Sequence, residues 1–193
     1  MSSTQTDTKT RILDTTWKLL ESGNKNVRMS DIAKAVGISR QALYLHYPNR
    51  ADLLIATTRH IDSVKDIDGR LAESRAAKSG KDRLSAFIRA WVGYIPEIHG
   101  TSVALRAMQA TDAEAAAAWN DRMQAMRHGC AAAVKAIKDD GLLLPHLTED
   151  TATDLLWMIL SVENWERLVR DCGWSQADYE ATIQTLAHKA LSG

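Results

Sequence analysis

Apolar residues recur at intervals of three and four along most of this chain. Near the N-terminus one such face consists of Ile12, Leu13, Thr16, Trp17 and Leu20. This spacing places side chains on one side of an α-helix, and no stretch shows the sustained alternation of a strand. The pattern therefore predicts an all-α protein.

Longer apolar stripes predict further helices in the middle of the chain. A helix begins near Asn49, and a later stripe ends at Ile95, where Pro96 is expected to kink or stop the helix. A short helix over Ser102–Ala110 is expected to follow. The longest stripe runs to Gly141 and contains Trp119, Met123, Met126, Cys130, Val134 and Ile137.

The segment Glu149–Asp171 differs because it has almost no polar face in its middle. A helix that is apolar all round must be buried all round, so one face is expected to meet a second copy of the chain. A last helix, capped by Ser175, follows Gly173. On the apolar helix, Leu156 and Leu160 are candidate dimer contacts. The alternative is a deeply buried helix within a monomer.

Two short helices around a glycine precede these elements. The apolar spacing predicts a helix over Ser30–Val36, and Gly37 follows where a helix end often needs a left-handed residue. Ser39 is a strong N-cap candidate for a second helix, Arg40–Tyr47, which Pro48 closes. This is a helix-turn-helix arrangement, whose second helix enters the major groove of DNA.

The second helix carries side chains suited to that groove. Arg40 and Gln41 lie on its first turn, where arginine can bond guanine and glutamine can bond adenine. Tyr44 and His46 follow and can donate to phosphate oxygens, which positions a protein without reading sequence. The alternative is an ordinary helical hairpin with polar residues facing solvent.

The same stretch resembles the DNA-binding domain of the TetR family of bacterial transcriptional regulators. The matching residues are Asp31-Ile32-Ala33, Val36-Gly37-Ile38-Ser39, Leu43-Tyr44, His46-Tyr47, Asn49-Arg50 and Leu53-Leu54. The resemblance implies a three-helix DNA-binding domain over residues 9–48, with Lys9–Glu21 as its first helix. It also implies a helical ligand-binding and dimerisation domain over residues 49–193, which pairs through its last two long helices. The candidate dimer contacts are then Leu156, Leu160, Tyr179, Ile183 and Leu186. The polar residues 1–8 are expected to form a disordered arm.

The resemblance assigns roles to individual side chains. It implies that Arg40 and Gln41 face bases, that Tyr44 and His46 contact phosphates, and that Arg50 contacts a phosphate where the family usually has lysine. The full candidate set for DNA is Arg28, Ser39, Arg40, Gln41, Tyr44, His46 and Arg50.

Besides Arg50, two positions depart from the family pattern. Arg28 stands where threonine commonly caps the second helix, and a guanidinium cannot accept a hydrogen bond. Ser30 is therefore expected to cap a shorter helix, while Arg28 still reaches a phosphate. Tyr47 replaces phenylalanine and is expected to pack inside.

The resemblance also implies a ligand cavity in the C-terminal domain, formed by aromatic, methionine and a few polar residues. The candidate lining is Trp91, Tyr94, Met108, Trp119, Met123, Met126, Trp157, Ser161 and Trp165. For any one of these residues, the alternative is ordinary core packing, because such stripes at helical spacing usually form core.

Charge and motifs limit the class of function. Residues 1–60 hold nine basic and five acidic residues, whereas residues 148–193 hold three and eight, so the basic end suits DNA. None of the six histidines pairs with another at i, i+4 spacing, and no nucleotide, hydrolase or cysteine-pair motif occurs. Cys130 is expected to be a buried thiol. No cofactor or metal is expected.

These observations predict a homodimeric, ligand-responsive regulator that binds a pseudo-palindromic operator and acts as a repressor. A small apolar or amphipathic molecule is the expected effector. The N-terminus lacks a signal peptide and no run is long enough to span a membrane, so a cytoplasmic protein is expected. The alternatives are an architectural, ligand-independent DNA-binding protein and a helical-bundle enzyme.

Overall fold

The computed structural model describes residues 2–22 and 27–192, with side chains from Asp7 onward in the first segment. The described helices are α1 Ser2–Glu21, α2 Met29–Val36, α3 Arg40–His46, α4 Arg50–Val64, α5 Ile67–Arg70, α6 Ala72–Ala76, α7 Gly80–Gln109, α8 Ala113–Asp139, α9 Glu149–Ile159, α10 Val162–Trp165 and α11 Gln176–Leu191. A π-helical segment, Glu166–Asp171, follows α10. Within the described ranges, β-pairing is limited to one isolated antiparallel bridge between Leu143 and Ser192. The predicted all-α class is confirmed.

Two compact units make up the chain. The head unit comprises Met1–Lys65 and Ile98–Met123, and the bundle unit comprises Asp66–Glu97 and Gln124–Gly193. The boundary predicted from the sequence lies between residues 48 and 49, but α4 lies wholly in the head unit. The reason is that α4 packs against α1 and buries Leu53, Leu54 and Ile61 in this unit.

The head unit is built from α1 to α4 and the adjoining parts of α7 and α8. Helix α1 packs on both α2 and α4, and α2 packs on α3. The fully buried residues of these four helices include Ile12, Leu20, Ile32, Leu43, Leu53 and Leu54. Helix α1 begins at Ser2, so the arm predicted over residues 1–8 is helical from that residue onward. No proline or glycine occurs between Ser2 and Thr8 to interrupt it.

In the bundle unit, the helix predicted over Glu149–Asp171 is broken. Helix α9 ends at Ile159, and α10 begins after Ser161, whose side chain accepts a hydrogen bond from the Asn164 N–H. The carbonyls left unpaired by the break find other donors. Trp91 Nε1 donates to the Leu160 carbonyl at 2.7 Å, and Asn164 Nδ2 donates to the Ile159 carbonyl at 3.3 Å. The apolar pattern does not show this break because apolar residues continue across it.

Helix α7 also differs from the prediction, since it continues through Pro96 to Gln109 without ending near residue 95. Proline cannot donate to the carbonyl four residues before it, here that of Val92. The side-chain amide of Gln176 donates to that carbonyl at 2.9 Å. Trp165 Nε1 in turn donates to Gln176 Oε1 at 2.8 Å and holds the amide in place. A side chain of α11 thus replaces the backbone donor that Pro96 removes.

Four of the five predicted dimer contacts belong to the core of the bundle unit. Leu156, Leu160, Tyr179 and Ile183 are at most 2% exposed within the single chain. They have no surface left for a second chain, so this part of the prediction is wrong. Leu186 differs because it is 49% exposed. Ile183 and Ala187 of the same helix are buried, and helical spacing alone could not separate such inward positions from outward ones.

Cys130 is fully buried, as predicted, and burial raises the pKa of its thiol to about 12. Across the described part of the chain, no helix combines the length and apolar character needed to cross a bilayer.

Candidate nucleic-acid interface

The turn between α2 and α3 has the geometry predicted from its glycine and serine. Gly37 has φ +78°, and its N–H donates to the Ala33 carbonyl at 3.0 Å. A residue with a Cβ adopts this left-handed conformation at a cost of about 1–2 kcal/mol. Ser39 then caps α3, because its hydroxyl oxygen accepts a hydrogen bond from the Ala42 N–H at 3.0 Å. Helix α3 ends at His46, one residue earlier than predicted.

The start of α2 corrects a prediction about Ser30. The helix begins at Met29, so Ser30 lies in its first turn and Arg28 occupies the N-cap position. The backbone N–H of Arg28 donates to Asp31 Oδ2 at 3.3 Å. The carboxylate of Asp31 therefore closes the start of α2, a role that neither Arg28 nor Ser30 fulfils with its side chain.

One side of α3 is exposed and the other is core. Leu43 is fully buried, whereas Arg40, Gln41, Tyr44 and Leu45 are all exposed. These four positions share one face of the helix, since residues four apart lie one turn above each other. Leu45 is not among the residues predicted from the sequence, although its spacing of four from Gln41 places it on the same face.

Arg40 and Tyr44 form a pair on this exposed face. Arg40 Nη2 donates to the Tyr44 hydroxyl at 3.3 Å, and the guanidinium carbon lies 5.5 Å from the centre of the Tyr44 ring. The hydrogen bond to Tyr44 raises the pKa of Arg40. Because the Tyr44 oxygen accepts from Arg40, its own O–H remains directed elsewhere and can donate to a phosphate.

His46 and Tyr47 are half-buried at the end of α3. Burial raises the pKa of Tyr47, as expected for a phenol that packs inside the domain. His46 keeps part of its ring exposed beside the face that carries Tyr44.

Arg50 corrects the prediction of a phosphate contact. It is only 9% exposed, and its Nη1 donates to Asp112 Oδ2 at 2.6 Å. Its Nε donates to the Val27 carbonyl, and Glu114 Oε2 lies 3.5 Å from Nη1. A guanidinium with these acceptors has no face left for DNA, so Arg50 is a structural residue. Local sequence carries no sign of this because Asp112 lies 62 positions away.

Asp112 joins this ion pair to the start of α8. Its Oδ1 accepts hydrogen bonds from the Glu114 and Ala115 N–H groups, both at 3.1 Å, while Oδ2 accepts from Arg50. Burial alone would raise the pKa of Asp112, but the Ala115 N–H and the Arg50 guanidinium together lower it. The same carboxylate thus caps α8 and neutralises the buried cation of α4.

Further ion pairs link α4 to the rest of the head unit. Arg59 donates to Asp121 at 2.8 Å, Arg122 donates to both Asp62 and Asp121, and His60 Nε2 lies 2.7 Å from Asp14 Oδ1. Some of the basic excess predicted to face DNA is therefore paired inside the unit.

The predicted ligand-lining residues are divided between the two units. Three belong to the head unit: Met108, Trp119 and Met123. Six belong to the bundle unit: Trp91, Tyr94, Met126, Trp157, Ser161 and Trp165. Trp91, Trp165 and Ser161 have polar atoms engaged in the hydrogen bonds that repair or cap helices. Trp91 and Tyr94 are neighbours, with ring centres 6.2 Å apart.

The model of the family described as bacterial regulatory proteins, tetR family, matches residues 12–57 of this chain. The matched range runs from α1 into α4 and includes the whole α2–turn–α3 arrangement. Residues 12–57 are thus similar to the DNA-binding part of tetR-family regulators. This similarity favours a DNA-binding transcriptional regulator over the enzyme alternative. No curated protein matches the chain in sequence.

Solved structures of similar fold cover almost the entire chain. A protein from Rhodococcus sp., described as a TetR-family transcriptional regulator, is 20% identical with a TM-score of 0.73, and the match covers 97% of this chain and 100% of that one. A transcriptional regulator from Saccharomonospora viridis, in complex with choline, is 19% identical with a TM-score of 0.73, covering 97% and 99%. The regulator FadR from Bacillus subtilis, in complex with stearoyl-CoA, is 15% identical with a TM-score of 0.74, covering 94% and 98%. At these identities the likeness establishes the fold.

Replacing Asp112 tests whether its charge holds Arg50 in the head unit. Asp112→Asn keeps an oxygen for the α8 cap but loses the ion pair, and we expect it to lower the free energy of unfolding by about 1–3 kcal/mol. Asp112→Ala also loses the cap and should cost about 1 kcal/mol more. Because the folded pKa of Asp112 is lowered, its contribution is present above about pH 4 and disappears as the pH falls through the folded pKa.

Urea unfolding of the wild type and both variants, at neutral pH and down to pH 3, measures these differences. Asp139→Asn is the matched control, since Asp139 forms an exposed pair with Lys135 at 2.7 Å and should contribute below about 1 kcal/mol. Equal stability of Asp112→Asn and the wild type at neutral pH would contradict a structural role for the pair.

Proposed function

We propose that this regulator represses transcription as a homodimer on a pseudo-palindromic operator and leaves the DNA when a small apolar or amphipathic molecule binds. The observation that carries this proposal is the exposed face of α3, where Arg40 and Gln41 occupy the first turn. Such a regulator would act on DNA in the bacterial cytoplasm.

The face of α3 supports sequence-specific binding. The Gly37 turn and the Ser39 cap fix the start of the helix, and the first turn of a recognition helix meets base edges. Gln41 offers an amide suited to adenine, and Arg40 offers a guanidinium suited to guanine. Tyr44 and His46 lie further along and suit phosphates, with Arg28 near the start of α2 as an exposed cation.

The bundle unit supports a ligand-binding role. It contains Trp91, Tyr94, Trp157 and Trp165, and large aromatic side chains are common in the walls of ligand sites. Choline and stearoyl-CoA are bound by two regulators of similar fold. A molecule with an apolar or amphipathic surface is therefore the class we propose for this chain.

The exposed faces of α9 and α11 support dimer formation. These two helices pack on each other in the bundle unit, and they expose Met158 (58%) and Leu186 (49%). Large exposed apolar side chains are common where protein interfaces form. We propose that the exposed sides of these two helices meet their copies across a two-fold axis, as isologous interfaces do.

Substitution of α3 residues tests the DNA contacts. We expect Arg40→Ala and Gln41→Ala each to relax base preference at one position per half-site, at a cost of about 1–3 kcal/mol there. Tyr44→Phe should weaken binding to all sequences alike, because a phosphate contact carries no sequence information. The measurement is fluorescence anisotropy of duplexes enriched from a random library by the wild-type protein. The orientation proposed for α3 fails if both alanine variants keep the wild-type preference.

Light scattering after size exclusion tests the dimer. The wild type should have twice the chain mass at micromolar concentration, whereas Leu186→Glu and Met158→Glu should shift it toward the monomer by placing a charge in the interface. Val64→Glu is the control, because Val64 is 55% exposed at the end of α4 in the head unit. Monomeric wild-type protein would refute this part of the proposal.

Ligand response is tested with a panel that begins with stearoyl-CoA and choline. We expect an effector in the panel to change the fluorescence of the bundle-unit tryptophans and to release the enriched duplex. By linkage, the duplex should weaken binding of that effector by the same factor. If every compound that binds the bundle unit leaves the affinity for the operator unchanged, the result favours an architectural DNA-binding protein instead.

A further inference from the structure

Among the large apolar side chains exposed in the described part of the chain, Leu45 has the highest exposed fraction. Its exposed fraction is 83%, and that of Met158, the next in rank, is 58%. A single exposed leucine needs no explanation on most surfaces. Leu45 differs because it shares a short helix face with three polar residues suited to DNA.

The exposed face of α3 consists of two parallel rows. Arg40 and Tyr44 form the first row and are joined by their own hydrogen bond. Gln41 and Leu45 form the second row, one helical turn apart. The second row thus combines one side chain that forms hydrogen bonds with one that forms none.

The length of α3 allows both ends of the second row to reach bases. The helix has seven residues, which corresponds to about 10 Å along its axis, and the major groove is about 12 Å wide. Leu45, although near the end of the helix, therefore lies within reach of the base edges once Gln41 is in the groove.

We propose that Leu45 reads thymine through apolar contact with the 5-methyl group, and that it determines operator specificity together with Gln41. This inference rests on the proposed entry of α3 into the major groove. Among the four standard bases, thymine alone presents a methyl group there. Leucine has no hydrogen-bonding atom in its side chain, so the methyl is the group that it can favour.

The same contact disfavours the other bases. Thymine also carries the O4 acceptor, but at the position of its methyl group the purines present the N7 acceptor, and cytosine has no methyl group beside its amino donor. A leucine pressed against these groups displaces water and leaves them without a partner, which is costly. Leu45 therefore selects for thymine both by attraction and by exclusion.

The test uses the full chain and begins without a defined operator sequence. Duplexes are first enriched from a random-sequence library with the wild type and with Leu45→Ala. Each thymine of the wild-type consensus is then replaced singly by deoxyuridine, which lacks only the 5-methyl group. The affinity of each duplex is measured for the wild type, for Leu45→Ala and for Leu45→Met, which keeps an apolar side chain. Val64→Ala is the control for loss of an exposed apolar residue outside α3.

We expect one thymine per half-site at which deoxyuridine weakens wild-type binding about four-fold, the factor for one buried methyl group. The loss should fall below about 1.5-fold in Leu45→Ala and remain in Leu45→Met, because the effect requires both partners. Leu45→Ala should also lose the thymine preference at that position in the enriched sequences. The thermal midpoint should not change, since Leu45 contributes little to the core.

The remaining outcomes separate two failures. If no sequence is enriched, the proposed sequence-specific binding fails and the role of Leu45 fails with it. If a consensus is enriched but no deoxyuridine substitution matters, or if Leu45→Ala responds to it as the wild type does, the role of Leu45 alone is overturned.

Discussion

A buried guanidinium joins the segments on which the DNA-reading helix depends. Arg50 bonds the Val27 carbonyl just before α2, and it pairs with Asp112 at the start of α8. Removing such a cation from water is costly unless its acceptors are close and well placed. The starts of α2, α4 and α8 are therefore held by one side chain, and α3 lies between the first two of these helices.

This arrangement changes the electrostatic account of the head unit. The first sixty residues carry a basic excess, but Arg50, Arg59 and His60 face carboxylates within the unit. Total charge thus overstates the charge that DNA meets. Lys34 on α2 and Arg40 on α3 are exposed cations, and such residues, not the total charge, would set the charge of the proposed DNA surface.

Local signals predicted the local structure well. The Gly37 turn and the Ser39 cap follow from the conformational freedom of glycine and from a hydroxyl placed three residues before a helical N–H. The all-α class, the similarity of residues 12–57 to the tetR family and the burial of Cys130 are also confirmed. The assignment of DNA contacts to Arg40, Gln41, Tyr44 and His46 stays a prediction.

Long-range partners account for the failures. The structural role of Arg50 depends on its ion pair with Asp112. Helix α7 continues through Pro96 because Gln176 donates to the Val92 carbonyl, which lies 84 positions away in the sequence. The break after Ile159 is likewise stabilised by Trp91, 69 positions from Leu160. Helical periodicity contains no information about such donors. It also cannot distinguish the core side of α11 from its exposed side, as Tyr179 and Leu186 illustrate.

The hydrogen bond from Gln176 to Val92 has a consequence for synthesis of the protein. A nascent chain folds its domains as units, beginning from the N-terminus. All residues of the head unit have been added once the ribosome passes Met123, whereas α7 lacks a donor for the Val92 carbonyl until Gln176 emerges. During that interval, the chain can present a finished DNA-reading surface before its bundle unit is complete.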